Sequence, residues 1–227
     1  MTTSGDKPNA LKERVMKTIP VISRFLFAGA LAIAVLAPAA PSAAEATDSG
    51  STLENMQAAF NGESNAHARY LAFAAKADEE GYGQVASLFR AAAMAEEIHA
   101  KNHADVIEKL GATAAAVLET PEVGTTAANL QAAIAGESYE RDSMYPAFLK
   151  QARADGNRAA VRSLNFAMAA EGEHAALYKS ALDNLDAWKD GKKTFYVCPE
   201  CGKTVTTRDF QECSVCYTEA EEFVEIS

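Results

Sequence analysis

Two glutamate and histidine pairs in this 227-residue chain have a spacing that suits metal binding. Glu96 precedes His99 by three residues, and Glu171 precedes His174 by the same interval. Residues three apart lie one turn apart on the same face of a helix, so each pair presents a carboxylate and an imidazole together. A single pair of this kind is common on a solvated helix face, and its repetition is the informative feature.

The pairs belong to an internal repeat. The sequence Ala-Phe-Asn-Gly-Glu-Ser around Glu63 returns as Ala-Ile-Ala-Gly-Glu-Ser around Glu137, 74 residues later, and each Gly-Glu-Ser precedes a Glu-x-x-His pair. Two similar helical hairpins packed about a pseudo-twofold axis would bring these residues to one central point. One Glu from two helices and Glu-x-x-His from the other two is the ligand set of dinuclear iron or manganese sites.

Electrostatics supports a dinuclear metal site. At 4 Å and an effective dielectric of 20, each pair of carboxylates repels by about 4 kcal/mol, so gathered acids bind cations or protons. Oxygen and imidazole ligands suit iron or manganese better than a thiolate-seeking metal.

Three further residues lie close in sequence to this constellation. Glu140 follows Glu137 by three residues and breaks the symmetry of the two halves. Tyr70 and Tyr145 either donate hydrogen bonds to ligating carboxylates or are packed aromatics, and the sequence leaves both readings open.

His67 and His103 each lie four residues after a candidate ligand. Neither has a counterpart in the repeat. We therefore expect both to lie beside the ligands or on the surface rather than to bind metal.

Four cysteines near the C-terminus form a second candidate metal site. They are arranged as two Cys-x-x-Cys hooks separated by eleven residues: Cys198, Cys201, Cys213 and Cys216. This pattern favours a tetrahedral iron or zinc site. Disulfides are an alternative if the chain is exported to an oxidising compartment.

The elements that must position the first site are helices. From Thr52 to Lys189 the chain is Ala-rich and poor in β-branched residues, and glycine-containing breaks divide it into four segments. The predicted helices cover 52–80, 84–110, 126–154 and 158–189. Such segments fit a four-helix bundle over 52–189, in which Pro146 bends the third helix because it lacks a backbone donor.

The last part of the chain differs in composition. After a linker over 190–195, residues 196–227 are rich in Thr, Val, Phe and Tyr and contain all four cysteines. We expect a small β-rich module there. Hydrophobic burial alone would not stabilise so small a module, and a bound metal would supply the rest.

The N-terminus has the pattern of an export signal. Five basic residues precede the apolar run 25–37, which is too short to span a bilayer as a helix, and Ser42-Ala43-Ala44 fits a cleavage site. We predict a signal peptide over 1–44, a flexible N-terminus over 45–51 and a periplasmic location, with membrane contact only during export. An uncleaved membrane anchor is the alternative, and Met16 is a candidate start.

The predicted mature chain is strongly acidic. Residues 45–227 contain 16 basic against 29 acidic residues, a net charge near −13. This balance argues against nucleic acid as a partner.

Taken together, these motifs resemble the rubrerythrin family, a ferritin-like di-iron four-helix bundle followed by a rubredoxin-like domain. The resemblance covers nearly everything after the signal. It rests on Gly62-Glu63-Ser64, Glu96-Glu97-Ile98-His99, Gly136-Glu137 with Glu140, Met144-Tyr145-Pro146, Glu171-Gly172-Glu173-His174 and the two cysteine hooks.

The resemblance implies specific roles. It makes Glu63, Glu96, Glu137, Glu171 and His174 iron ligands, with Glu140 and His99 exchanging at one iron as its oxidation state changes. It also implies reduction of hydrogen peroxide to water, with a third iron, held by the four cysteines, relaying electrons from a donor that the sequence does not identify.

The resemblance and helix length together suggest a head-to-tail homodimer. The helix from His174 to Trp188 spans about 21 Å at 1.5 Å per residue. We therefore expect the cysteine site to lie far from the di-iron site of its own chain and close to that of a partner subunit.

Two other functions use the same residues. A ferroxidase or iron-handling protein would employ the same carboxylates, and a non-catalytic metal-binding bundle would carry a structural zinc module. His99 with Glu140 favours redox switching, and the attached cysteine site favours an external electron supply.

Overall fold

The computed structural model describes residues 50–189 and 191–227, a mainly helical structure with a small C-terminal sheet. Five α-helices occur in it: α1 Thr52–Glu79, α2 Gly83–Lys109, α3 Thr126–Tyr139, α4 Tyr145–Ala154 and α5 Arg158–Asp183. The predicted signal peptide lies outside the described residues. Among the helices of the described part, none has both the length and the apolar character needed to cross a membrane.

Helix α1 begins with a complete capping box. The Ser51 hydroxyl accepts from the Glu54 backbone N–H, and the Glu54 carboxylate accepts from the Ser51 N–H at 2.7 Å. Both interactions satisfy backbone donors that a helix start leaves unpaired. The N-terminus predicted to be flexible covers 45–51. Residues 45–49 lie outside the described residues, whereas Ser51 is held by this cap.

The third bundle helix is continuous but irregular. Between α3 and α4, Glu140–Met144 form a π-helical turn in which the Tyr145 N–H bonds to the Glu140 carbonyl. Pro146 lies in the first turn of α4, where its missing N–H costs little. The predicted irregularity is present, but it lies before the proline and takes the form of a π-turn.

The helices pair as two hairpins, with α1 against α2 and the α3–α4 helix against α5. This is the predicted four-helix bundle. The fourth segment is shorter than predicted, because α5 ends at Asp183 and a 3-10 turn covers Leu185–Trp188.

Two apolar clusters fill the bundle. One contains Tyr70, Phe73, Phe89 and Tyr178, and the other is built around Met56, Ile107, Leu149 and Leu164. Buried glutamates and histidines lie between these clusters, so the polar site is enclosed by apolar packing at both ends.

The C-terminal module is a three-stranded antiparallel sheet in the order β2-β1-β3, with β1 Phe195–Val197, β2 Thr204–Val205 and β3 Val224–Ile226. Strand β1 begins within the segment predicted as linker. Phe195 and Val197 are fully buried in the same cluster as Phe89 and Tyr178. The module therefore shares a hydrophobic core with the bundle of its own chain.

This packing contradicts the expected separation of the two metal sites. Although α5 carries the chain away from His174, the segment after Trp188 turns back along α2, and the Phe195 ring stacks on Trp188 at 6.3 Å between centroids. The cysteine hooks return to the level of His99. This reversal cancels the separation gained along α5, because an extended chain covers about 3.3 Å per residue and so regains the helix length quickly.

Candidate metal centres

The repeat-related glutamates and histidines converge in the middle of the bundle. Their ligand atoms form two groups, and within each group all atoms lie within 4.8 Å of one another. One group is Glu63, Glu96, His99 and Glu171, and the other is Glu96, Glu137, Glu171 and His174. All six side chains are at most 1 % exposed.

Glu96 and Glu171 belong to both groups, so each could contribute ligand oxygens to two metal ions. The His99 Nδ1 lies 2.8 Å from Glu96 Oε2 and 3.4 Å from Glu171 Oε1. The His174 Nδ1 lies 3.3 Å from Glu96 Oε1 and 3.2 Å from Glu171 Oε2. Each imidazole thus points the same ring nitrogen at the shared carboxylates.

The outer ring nitrogens contact the cysteine module. His99 Nε2 donates to the Cys201 carbonyl at 3.1 Å. His174 Nε2 donates to Thr204 Oγ1 at 3.0 Å, and the Thr204 hydroxyl itself donates to the Gly202 carbonyl. A partner on the outer N–H fixes the tautomer of a metal-binding histidine and leaves the inner nitrogen free to coordinate.

The donor set fits a pair of divalent cations. Each of the four buried carboxylates has one oxygen without a hydrogen-bond partner: Glu63 Oε2, Glu96 Oε1, Glu137 Oε2 and Glu171 Oε1. Buried carboxylate oxygens are normally satisfied, and two divalent ions would bring four positive charges to these four groups.

The pKa values of the protein groups show the same electrostatic imbalance. Burial, followed by repulsion from Glu96, raises the pKa values of Glu63 and Glu171 well above their usual range. Burial alone would lower the pKa of His174, but the Glu96 and Glu137 carboxylates raise it to about 10. Positive charge is therefore strongly favoured at this point of the bundle.

Two tyrosines hold the two carboxylates that belong to only one ligand group each, which resolves the alternative left open by the sequence. The Tyr70 hydroxyl donates to Glu137 Oε1 at 2.5 Å, and the Tyr145 hydroxyl donates to Glu63 Oε1. Both rings are buried, so they also pack in the core.

His103 is buried beside the site and does not belong to either ligand group. Its Nε2 lies 3.3 Å from the Tyr145 hydroxyl oxygen, and its Nδ1 lies 2.7 Å from Ser163 Oγ. Burial lowers its pKa to about 3, so the ring is neutral at physiological pH. His67 instead lies against the Ala93 carbonyl at 2.7 Å.

Glu140 is the one predicted ligand that lies outside both groups. It occupies the start of the π-turn, and its Oε1 is near Gly62, the neighbour of Glu63. Burial, then repulsion from Glu137, raises its pKa well above the usual range. It is therefore a further carboxylate adjoining the dinuclear site.

The four cysteines also converge. Their sulfur atoms lie within 4.8 Å of one another, with Cys198 Sγ 3.4 Å from Cys216 Sγ and Cys201 Sγ 3.6 Å from Cys213 Sγ. A tetrahedron with metal–sulfur bonds of about 2.3 Å has edges of about 3.8 Å. A disulfide requires about 2.05 Å, and all four thiols are free. The geometry is that of a metal site, and the disulfide alternative is not what the structure shows.

Comparison with known proteins identifies the family. The family model described as rubrerythrin matches residues 54–182, more than half of the chain. The chain belongs to the rubrerythrin family.

Similar proteins extend the match beyond the bundle. Nigerythrin of Nitratidesulfovibrio vulgaris is 41 % identical over 175 residues, covering 77 % of this chain and 86 % of that protein. Rubrerythrin-2 of Clostridium acetobutylicum is 36 % identical over 177 residues, covering 76 % and 95 %.

Solved structures agree with these sequence matches. The structure of fully reduced, all-ferrous nigerythrin superposes with a TM-score of 0.74 at 38 % identity, covering 81 % of this chain and 91 % of that one. A bacterioferritin of Desulfovibrio desulfuricans, at 22 % identity and a TM-score of 0.55, shares the ferritin-like fold. This rubrerythrin family member thus combines a ferritin-like di-iron domain with a rubredoxin-like four-cysteine metal site.

Some site residues were not found from the sequence. Thr204 and the Cys201 carbonyl reach the site only because the module docks on the bundle, and no local pattern signals this. Ser163 has no distinguishing motif either. Tyr178, whose ring lies 6.4 Å from that of His174, follows it by four residues, and this helical spacing was a usable signal.

Proposed function

We propose that the chain is a di-iron peroxidase that reduces hydrogen peroxide to water in oxidative stress defence, with electrons relayed through an iron in the cysteine site. One observation carries the proposal. The Cys201 carbonyl accepts a hydrogen bond from His99 Nε2 at 3.1 Å, so one residue of the thiolate site contacts one residue of the dinuclear site directly.

The reaction requires two electrons and two protons for each peroxide that becomes two waters. When bound, the iron pair supplies one electron from each ion. Glu96 and Glu171 would hold the two ions side by side, since each belongs to both ligand groups. Tyr70 and Tyr145 fix the orientation of the remaining carboxylates, which keeps the site preorganised.

The thiolate site gives the bundle a source of electrons. The proposed electron route starts at the Cys201 sulfur and passes through the backbone of Cys201. It then crosses one hydrogen bond to the His99 ring in the bundle. Zinc has no redox chemistry and would make this contact purely structural, which is why iron is proposed there. Ferroxidase action by the carboxylates alone would not use the route.

Glu140 is proposed to replace His99 at one iron when the pair is oxidised. Its carboxylate adjoins Gly62 next to Glu63 and lies outside both ligand groups. A carboxylate favours the more charged oxidised ion, whereas neutral imidazole suits the reduced one.

The protein is proposed to act in the periplasm after export. The support is the basic segment and short apolar run before Ser42-Ala43-Ala44. A cytoplasmic NAD(P)H-linked reductase would not reach that compartment, so another donor is required. Cell fractionation with N-terminal sequencing of the protein checks this, and an intact N-terminus in the cytoplasm would contradict it.

Anaerobic stopped-flow spectroscopy tests the proposed reaction. The protein is purified without oxygen, iron and zinc per chain are measured, and the reduced protein is mixed with hydrogen peroxide while the thiolate-iron absorption is followed. We expect three irons per chain and rapid oxidation of the thiolate iron by peroxide.

The matched control removes the dinuclear site but keeps the cysteines. In Glu171→Ala, which loses a carboxylate common to both groups, peroxide should oxidise the thiolate iron at least tenfold more slowly. Equal rates in both proteins, or colourless zinc in the cysteine site, would contradict the proposal. Oxygen-driven oxidation with release of iron would favour an iron-handling function.

A further inference from the structure

The buried dinuclear site is connected to a surface cleft by a chain of hydrogen bonds. Tyr145 contacts Glu63, His103 Nε2 lies 3.3 Å from the Tyr145 oxygen, and His103 Nδ1 lies 2.7 Å from Ser163 Oγ. His103 is fully buried, whereas Ser163 is 6 % exposed. The hydrogen-bond chain therefore extends from the ligands of the dinuclear site to the edge of the bundle.

The hydrogen atoms in this chain have a defined direction. The phenolic hydrogen of Tyr145 is donated to Glu63, so the Tyr145 oxygen must accept from His103 Nε2–H. Neutral imidazole carries only one N–H, so its Nδ1 must accept from the Ser163 hydroxyl. All three hydrogen bonds consequently donate inward, from the surface towards Glu63.

Ser163 opens onto a cleft of about 170 Å³ between α2 and α5. Its lining includes Asn102, Arg162 and Glu200, all able to hold water by hydrogen bonds. At about 30 Å³ per molecule, this volume accommodates on the order of five waters. The outer end of the chain thus has a source of protons.

The other half of the bundle provides an internal comparison. Tyr70 donates to Glu137 as Tyr145 donates to Glu63, but its ring is surrounded by Phe73, Phe89 and Tyr178. A tyrosine in an aromatic cluster therefore suffices to orient a carboxylate. The histidine and serine behind Tyr145 are not needed for that task.

We propose that Ser163, His103 and Tyr145 form the route by which protons enter the dinuclear site, with Glu63 as the inner acceptor. The inference rests on the proposed peroxidase function, which consumes two protons per peroxide.

Each transfer moves one proton and no electrons. Tyr145 gives its proton to Glu63 Oε1 and takes the one on His103 Nε2. His103 Nδ1 takes the Ser163 proton, and Ser163 takes one from a hydronium ion in the cleft. The net result is one proton moved from the cleft to Glu63, with His103 changed from its Nε2–H to its Nδ1–H tautomer. Rotation of the two hydroxyl groups and the reverse tautomer shift restore the starting state.

A spectroscopic measurement tests the direction of the three hydrogen bonds without measuring enzyme activity. The full chain loaded with diamagnetic zinc contains only four histidines, so ring ¹⁵N shifts are readily assigned. We expect His103 to be the Nε2–H tautomer, and Ser163→Ala to change its Nδ1 shift. A dominant Nδ1–H tautomer would overturn the proposal.

A kinetic readout tests the route itself. In Ser163→Ala loaded with iron, we expect oxidation of the reduced di-iron site by peroxide to slow about tenfold, with a larger solvent deuterium isotope effect, because the outer proton donor is lost. Ser163→Thr, which retains the hydroxyl, should recover most of the rate.

Controls distinguish the loss of a proton donor from a packing defect, and failure of the proton route from failure of the proposed peroxidase function. Ser87→Ala removes a buried helical serine that donates to the Gly83 carbonyl and takes no part in the Ser163–His103–Tyr145 hydrogen bonds. The solvent isotope effect of this variant should match that of wild type. A Ser163→Ala rate and isotope effect equal to wild type would overturn the route. If wild-type protein does not react with peroxide, the proposed function fails, whereas the tautomer measurement still judges the hydrogen-bond chain.

Discussion

Tyr217 has a backbone conformation that few side chains adopt. Its φ of 67° makes it the one non-glycine residue with positive φ in the described part of the chain, and it follows directly after Cys216. Its side chain is 71 % exposed, so little packing compensates the strain. A non-glycine residue in this region costs roughly 1 kcal/mol relative to glycine.

We therefore expect Tyr217→Gly to raise the free energy of unfolding of the metal-loaded chain by about 1 kcal/mol. Tyr139→Gly is the matched control. This tyrosine is also exposed, at 61 %, but lies in α3, where glycine should destabilise by about 1 kcal/mol. Chemical denaturation measures both, and a loss of stability in Tyr217→Gly would contradict the strain argument.

Gly202 is required where the cysteine module meets the bundle. A Cβ atom there would lie 2.3 Å from His99 Nε2, closer than any real contact. Gly202→Ala should displace the Cys201 carbonyl from His99 and slow oxidation of the thiolate iron by peroxide at least tenfold.

The control for this variant is Gly81→Ala. Gly81 has a similar positive φ of 80°, against 74° at Gly202, but no atom lies within 4 Å of the added Cβ. It should lose comparable stability and keep the wild-type oxidation rate. Similar slowing in both variants would show that backbone strain alone, and not the His99 contact, is responsible.

At the scale of the elements, a side-chain hydrogen bond joins the start of α1 to the end of α4. The Thr52 hydroxyl donates to Asp155 Oδ2 at 2.7 Å, and this bond, followed by one from Gln151, lowers the pKa of Asp155. Because the folded pKa is lowered, the stabilisation is present above the unfolded pKa of about 3.9 and is lost as pH falls.

Thr52→Val should therefore lower the melting temperature at pH 7, and its difference from wild type should shrink as pH falls from 5 to 3. Thermal unfolding followed by circular dichroism across this range measures the effect. A difference that stays constant with pH would mean that the hydrogen bond is not the source of the pKa shift.

The helices and the ligand cage were predictable because both depend on short-range regularity. Helical spacing places Glu96 with His99, and the repeat supplies Glu63 and Glu137 at equivalent positions. The π-turn over Glu140–Met144 was not predicted in form, because no local residue pattern in the sequence signals this shift of the backbone hydrogen bonds. Proline signals only that the helix is irregular nearby.

At the scale of the whole molecule, the contact between module and bundle was not predictable from spacing. It depends on the chain reversing after Trp188 and on pairs distant in sequence, including Lys203 with Glu173 at 2.9 Å and Arg162 with Glu200 at 2.7 Å. Within one chain, the cysteine site therefore already meets a dinuclear site. The homodimer stays a prediction, but it is not needed to bring the sites together.

Subunit mixing checks this single-chain arrangement. Cys213→Ser disables the thiolate site and Glu171→Ala disables the dinuclear site. When the two variants are co-expressed, we expect no peroxidase activity beyond the sum of each alone. Recovery of activity would show that the thiolate site serves a partner subunit instead.

Both histidines of the dinuclear site donate a hydrogen bond to the cysteine module, His99 to the Cys201 carbonyl and His174 to Thr204 Oγ1. Metal binding by the four cysteines should therefore change the metal affinity of the dinuclear site. Loss of such outer hydrogen-bond partners weakens metal affinity by about ten- to a hundredfold. By linkage, the influence is reciprocal. The two centres should load cooperatively, so protein prepared with limiting metal would contain filled and empty molecules rather than half-filled ones.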